Sequence, residues 1–331
     1  MDIKAADVAK LRQMTGAGMM DCKKALVEAN GDYERAKEII REKGKLVAAK
    51  RADRETSEGA VIAKVNGNKA IVVGLGCETD FVAKNAEFQA LAEAIAEAAI
   101  ANFPADKDAL MACVLADGRT VEAAVTEQTG KTGEKHMIVG YETVEAEFIS
   151  AYMHKITGKL AAVVGFNKAF DEQVAKGVAM QVASMNPVAV SAESVPQSVI
   201  DTELKTAEQK TREELVQKAV DAALTKAGIN PAHVDSEAHI ESNQAKGWIT
   251  AEQAEQAREI IKTVSAEKAA NLPEQMVANI AKGRLQKFFK EQTLEEQGYQ
   301  MGDGKTAVKD VVKAADAEAK ILVFKRISLA D

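Results

Sequence analysis

The sequence predicts an α+β fold. It comprises an N-terminal three-helix domain, a core of duplicated α/β-hairpin subdomains, and an antiparallel helical hairpin inserted into the second of them. Three observations predict this. Apolar residues recur every three or four positions over residues 1–44 and again over 195–270, which is helical spacing. Two pairs of short apolar runs close around the turn signals Asn66-Gly67-Asn68 and Thr157-Gly158-Lys159. The succession strand, glycine turn, strand, loop, Ala-rich helix and Asn/Pro stop occurs twice, about 90 residues apart, marking residues 59–190 as an internal duplication. With only 4% aromatic residues and abundant Ala, long helices are favoured over an all-β fold.

The first helix carries Val8, Leu11 and Met14 at a step of three, and Thr15-Gly16-Ala17-Gly18 breaks it, because glycine tolerates positive φ. Met19 opens the second helix, which Asn30-Gly31 stops. Asp32 is placed to cap the third, whose Ala36, Ile39 and Ile40 face inward and which Gly44 is expected to end. Some 40 residues make a small core, so this domain is marginal alone. Lys45 to Glu58 is charged and expected to be a solvated helix extension or linker.

Val61, Ala63 and Val65 then alternate with Ile62, Lys64 and Asn66, and Asn66-Gly67-Asn68 signals a hairpin returning through Ile71-Val72-Val73. After the turn Thr79 to Asn85, a helix presents Phe88, Leu91, Ile95 and Ala98–Ala99 on one face, and Asn102-Phe103-Pro104 closes the unit. Residues 106–134 suit two helices, with Thr120 capping the second, and a strand follows around His136 to Val139. The second copy runs Phe148 to His154, Thr157-Gly158-Lys159, Leu160 to Phe166, then a helix with Val174, Val178 and Val182 before Met185-Asn186-Pro187.

Residues 195–270 are rich in Glu, Gln, Lys and Ala, and Ile200, Leu204, Ala207, Thr211, Leu215 and Ala219 make only a thin seam. A loop is expected from Gly228 to Gly247, with a capping box at Thr250-Ala251-Glu252-Gln253 opening the return helix. A further helix follows Pro273, another is capped by Thr306, and Ile321 to Phe324 suits a buried strand. The expected boundaries are therefore 1–54 for the head and linker, 55–144 for the first core subdomain, 145–194 with 271–331 for the second, and 195–270 for the inserted arm.

Net charge is −7, distributed as +4 over residues 1–54 and −11 over the rest, so the whole chain does not suit a polyanion. Cys22, Cys77 and Cys113 have no CxxC spacing and are odd in number, which suggests neither a zinc site nor a disulfide framework and fits a reducing compartment. No run approaches the ~20 apolar residues of a membrane span, and the N-terminus lacks an apolar secretory segment. Gly74-Leu75-Gly76-Cys77-Glu78-Thr79 has Thr79 where a dinucleotide loop needs its third glycine, and a hairpin rather than a βαβ unit precedes it. Thr15-Gly16-Ala17-Gly18 with Lys23 lacks the spacing of a phosphate loop. His136, His154, His233 and His239 are scattered, and no nucleophile–base pairing stands out, so a binding protein is favoured over an enzyme. The odd residue is Phe81. Thr79 and Asp80 suit a turn into a helix, whereas Phe81 either tucks into the core or projects as an anchor for a partner.

The segments Leu11-Arg12-Gln13-Met14-Thr15-Gly16-Ala17-Gly18-Met19-Met20-Asp21-Cys22-Lys23-Lys24-Ala25-Leu26 and Cys77-Glu78-Thr79-Asp80-Phe81-Val82-Ala83-Lys84 resemble translation elongation factor Ts, and so does the order of parts along nearly the whole chain. The resemblance implies a ubiquitin-associated-like (UBA-like) head and guanine nucleotide exchange on elongation factor Tu. The GDP form would be bound, its nucleotide and Mg²⁺ loosened, and GTP admitted, without covalent chemistry, a cofactor or a metal site on this chain, in the cytoplasm. Asp80 and Phe81 would be the wedge, framed by Thr79 and Val82, with His154 beside it; Arg12, Met19 and Met20 would grip a helix of the same partner domain. The second half of the core would hold a separate partner domain. No direct nucleic-acid or membrane contact is implied. Two features depart from the common pattern: the longer arm, which can serve homodimerisation in the family, and an end at Asp331 without the C-terminal helical module of some members. The competing expectations are a nucleic-acid-binding or ubiquitin-associated-type adaptor built on the +4 head, although no basic stripe interleaved with aromatics supports it, and a small-molecule enzyme using the Gly74–Asp80 turn.

Overall fold

The computed structural model describes residues 3–330, which divide into two compact units, 3–190 with 294–330 and 191–293. In the first unit, the head consists of α1 (Ala5–Thr15), α2 (Met19–Glu28) and α3 (Tyr33–Lys50) around Leu11, Cys22, Leu26 and Ala36. Asp32 caps α3, accepting the N–H groups of Glu34 (2.9 Å) and Arg35 (3.1 Å). Met14 lies outside this core, because six residues at 3.6 per turn carry it about 120° off the face of Val8.

The core holds two three-stranded antiparallel sheets of the same design. In one, β1 (Glu58–Asn66) and β3 (Met137–Glu145) flank β2 (Lys69–Cys77); in the other, β4 (Phe148–Met153) and β6 (Ile321–Ser328) flank β5 (Leu160–Phe166). Each central strand shifts register at a glycine, Gly74 or Gly165. The sheets pack face to face through Val61, Ala63, Val72, Ala161, Val163 and Ile327. The other face of the first sheet carries α5 (Ala86–Asn102), α6 (Lys107–Ala112) and α7 (Val121–Thr132). The other face of the second carries α8 (Glu172–Met185) and α13 (Val308–Ala315). Alternation along β2 explains why it reads as one apolar run: Ile71, Val73 and Leu75 face helices, while Ala70 and Val72 face the other sheet. Both repeat helices end on a left-handed residue just before proline, Phe103 and Asn186. Strand β6 is half-buried rather than buried, with Leu322 exposed, because it is an edge strand pairing only with β5. Ala307, not Thr306, occupies the N-cap of α13, and Asp303 holds the Thr306 N–H and hydroxyl.

The second unit is longer than its composition suggested. Its α9 (Gln197–Lys226) is followed by α10 (Glu237–Ala245) inside the expected loop, then by α11 (Ala251–Ala270) and α12 (Glu274–Gln292). The helix after Pro273 belongs to this unit, not to the core. It continues along α9 through buried Val277 and Ala281 and through the ion pairs Arg212–Glu274 and Arg284–Glu214. Pro273 marks a break within the return limb, where a missing N–H is tolerated at a helix start. The insertion opens and closes where Leu294 and Glu295 donate to the carbonyls of Ala189 and Val190, each at 2.9 Å.

Gly44 does not end α3. It lies buried inside the helix, six residues before the last, where α7 crosses against it. A Cβ there would stand 2.9 Å from the Thr126 carbonyl and 3.6 Å from Gly130 Cα, and Arg41 pairs with Glu127 beside the crossing. The missing side chains let two helix backbones meet, which fastens the head to the core. Gly44→Leu is therefore expected to lower the urea midpoint by an overpacking cost of about 1–3 kcal/mol and to open residues 51–57 to protease. Gly283→Ala, in the interior of α12 with nothing near its Cβ position, is expected to stabilise by about 1 kcal/mol through helix propensity alone. Urea melts of the two variants check both signs.

Candidate functional site: a braced turn with an exposed phenylalanine

Strand β2 ends at Cys77, and a single helical turn, α4 (Asp80–Ala83), follows before α5. Thr79 is the N-cap of α4, its hydroxyl accepting from Val82 N–H at 3.4 Å, and Asn85 caps α5 in the same way through Glu87 N–H at 2.8 Å. Within α4, Ala83 is buried, Val82 packs partly on the core, and Phe81 is 84% exposed. Residues 81 and 83 differ by two steps of about 100°, so burying Ala83 turns Phe81 outward. The projecting alternative for Phe81 is therefore the one the fold adopts.

The backbone beneath Phe81 is clamped from the segment just ahead of β3. Glu134 accepts the Thr79 hydroxyl at 2.7 Å and the Thr79 N–H at 3.1 Å. Glu78 accepts the Lys135 N–H at 2.6 Å and two bonds from the Arg51 guanidinium at 2.7 and 2.9 Å. Partial burial works to raise the Glu78 carboxyl, but these donors outweigh it and hold it below the usual range. Lys135 Nζ in turn donates to the carbonyls of Ala52 and Arg54. Cys77 is wholly buried, and desolvation, aided by the charges of Glu134 and Glu58, pushes its thiol up to about 12. It is therefore a small apolar residue here and not a nucleophile. Asp80 pairs with Lys84 at 2.7 Å, which holds its carboxyl below the usual range. That pair is exposed and screened by water, so a partner can displace it at little cost.

His154 directly follows β4, half-buried, with Tyr152 hydroxyl 3.0 Å from its Nδ1. The turn after it is docked on β1: Val61 N–H donates to Gly158 O at 2.8 Å, and Lys159 Nζ pairs with Glu58. Glu58 lies opposite Cys77 in the β1–β2 ladder, so the His154 turn and the Phe81 turn emerge at the same end of the core. The head presents Arg12, Met19 and Met20 exposed, the two methionines at 59% and 65%. Glu134, Glu78, Lys135 and Arg51 were not found from sequence, since clamps reaching across 27 to 57 residues leave no local spacing.

His136 lies under the same turn. Its Nδ1 is 2.9 Å from the Glu134 carbonyl, and its Nε2 is buried without a partner. Burial lowers its pKa against the raising effects of the Glu134 carbonyl and of the Glu134 and Glu78 charges. A histidine with a depressed folded pKa binds more protons when unfolded, so its neutral form contributes full stability above the unfolded value near 6.5. That contribution is lost as pH falls below it. Thermal melts are expected to weaken from pH 7 to pH 5, and His136→Asn should flatten that slope while leaving the decline below about pH 4.5, where carboxylates protonate.

Among the described residues, no group of three or more His, Cys, Asp or Glu side chains is arranged to hold a metal ion, and no helix is long and apolar enough to cross a membrane. The fold and site together define an α+β core with a helical head and an inserted helical arm, presenting an apolar side chain on a clamped turn. The sequence profile described as Elongation factor TS matches residues 78–230 and 218–331. Over 329 residues, covering 99% of both proteins, the chain is 55% identical to Elongation factor Ts of Bacteroides thetaiotaomicron and 55% identical to that of Phocaeicola vulgatus. It is 39% identical, over the same share, to Elongation factor Ts of Porphyromonas gingivalis. The chain belongs to the elongation factor Ts family and is a translation elongation factor.

Proposed function

We propose that this chain is a guanine nucleotide exchange factor that binds GDP-loaded elongation factor Tu, displaces its Mg²⁺ and releases GDP so that GTP can bind. It does so without covalent chemistry. The observation that carries this reading is Phe81, 84% exposed on a turn whose backbone is fixed by Glu134 and Glu78. An exposed aromatic on a rigid mount is suited to enter a partner's helix packing, because little ordering entropy is lost on insertion. Asp80 and Phe81 form the wedge, Thr79 and Val82 set its angle, and His154 supports it from the neighbouring turn. Arg12, Met19 and Met20 make a second grip from the head, and the second core subdomain holds another domain of the partner.

The energetics require several contacts. Accelerating release 10³–10⁵-fold takes roughly 4–7 kcal/mol at ~1.4 per tenfold. Burying one Phe supplies about 1.5–3 kcal/mol. The remainder comes from contacts made more strongly with empty than with loaded partner, and linkage then weakens nucleotide binding by the same factor. Release of fluorescent GDP from elongation factor Tu, with this chain at substoichiometric amounts, tests the proposal. Repeated turnover is expected; an unchanged release rate with folded protein would overturn it.

A further inference from the structure

The turn joining β4 to β5 contains an apolar residue that the fold does not use. Ile156 is 90% exposed, more than Phe81, and sits between Lys155 and Thr157, both exposed. Turn positions favour polar residues that bond their own backbone, as Thr157 does by accepting Lys159 N–H at 3.3 Å. The turn is nevertheless held firmly. His154 N–H donates to Leu160 O and Gly158 N–H to His154 O, both at 2.8 Å, with Gly158 at φ +66°. Outside the hairpin, Gly158 O accepts from Val61 and Lys159 O from Leu329 at 2.9 Å, while Lys159 Nζ pairs with Glu58. Ile156 thus stands on a braced tip, at the core end where Phe81 stands on another, joined through Glu58 and its ladder partner Cys77.

We propose that Ile156 is a second apolar anchor for the same protein partner that Phe81 enters, inserted into a shallow pocket beside the wedge with Lys155 over an acidic rim. The inference rests on the exchange-factor reading, and continuity with the Phe81 face identifies the occupant as elongation factor Tu rather than a second copy of this chain. Ile156 is 90% exposed in its own fold, so its burial acts on association, whereas Phe81 acts on the distorted state.

The test is fluorescent GDP release from elongation factor Tu at varied concentrations of the full chain, comparing wild type with Ile156→Ala and Ile156→Asp. Val114→Ala, at another exposed apolar residue, is the control. The half-saturating concentration should rise about ten-fold or more for the Ala variant, given the 1.5–3 kcal/mol of a buried aliphatic side chain, and further for Asp, with little change in maximal rate. Melting temperatures and the control should stay at wild-type values. Wild-type exchange with all Ile156 variants unchanged would overturn the anchor and leave the exchange reading standing. If wild type fails to exchange, that reading falls. Binding of nucleotide-free elongation factor Tu to immobilised wild type and Ile156→Ala then decides the anchor, which weaker variant binding supports and equal binding or none overturns.

Discussion

Phe81→Ala is expected to lower the maximal rate of GDP release by about ten- to hundred-fold while leaving the melting temperature unchanged. The magnitude follows from the 1.5–3 kcal/mol that burying a Phe side chain supplies, at ~1.4 kcal/mol per tenfold. The unchanged stability follows from its exposure: a side chain with 84% of its surface in water contributes almost no core burial to lose. Most large core truncations cost 2–5 kcal/mol, so rate and stability separate cleanly at this position. The split between kinetic parameters is informative. A side chain that acts in the distorted state lowers the maximal rate, whereas one that only grips the partner raises the half-saturating concentration. Stopped-flow release measured beside a thermal melt decides it. Unchanged release would remove the wedge, and a fall in both rate and melting temperature would mean that Phe81 is structural after all.

What was legible in the sequence had a local cause. Thr79 is a cap because its hydroxyl reaches the N–H three residues on. The duplication is visible because each copy buries a central strand on both faces, giving the apolar runs of β2 and β5. What was not legible depends on distant partners. Gly44 carries the signature of a helix stop, and only the approach of Gly130 shows that its missing side chain serves a crossing. Pro273 looks like the end of the arm until Arg212 and Arg284 are seen to pair across to Glu274 and Glu214. Phe81 was conspicuous as an apolar residue in a polar turn, yet its direction was open until Ala83 was placed in the core. Ile156 was hidden because the turn signal Thr157-Gly158-Lys159 begins one residue after it, leaving it to read as part of the strand end.

Glu134→Ala is expected to slow exchange nearly as much as Phe81→Ala, although Glu134 is only a positioning residue. Its carboxylate receives both polar hydrogens of Thr79, and hydrogen bonds to a charged group are worth about 1.5–3 kcal/mol. Losing them frees the N-cap of a four-residue helix that has no other turn to hold it. The variant should therefore lose about 2 kcal/mol of stability by urea denaturation. Hydrogen exchange at residues 79–82 should quicken more than in the β2 ladder, since local opening draws on the least-tied segment. A stability loss alone cannot show that the clamp serves Phe81, but a double-mutant cycle can. If Glu134 acts by aiming Phe81, the double variant exchanges GDP no more slowly than Phe81→Ala alone, because the aimed side chain is already gone. If the two losses multiply, Glu134 reaches the partner or the fold by another route. Glu134→Gln is the rescue arm: it keeps an oxygen for the Thr79 hydroxyl and should recover part of the rate. Residues 79 and 134 are far apart in sequence, and their bonds, with that of Lys135 to Glu78, tie the segment ahead of β3 to the turn that carries the exposed aromatic.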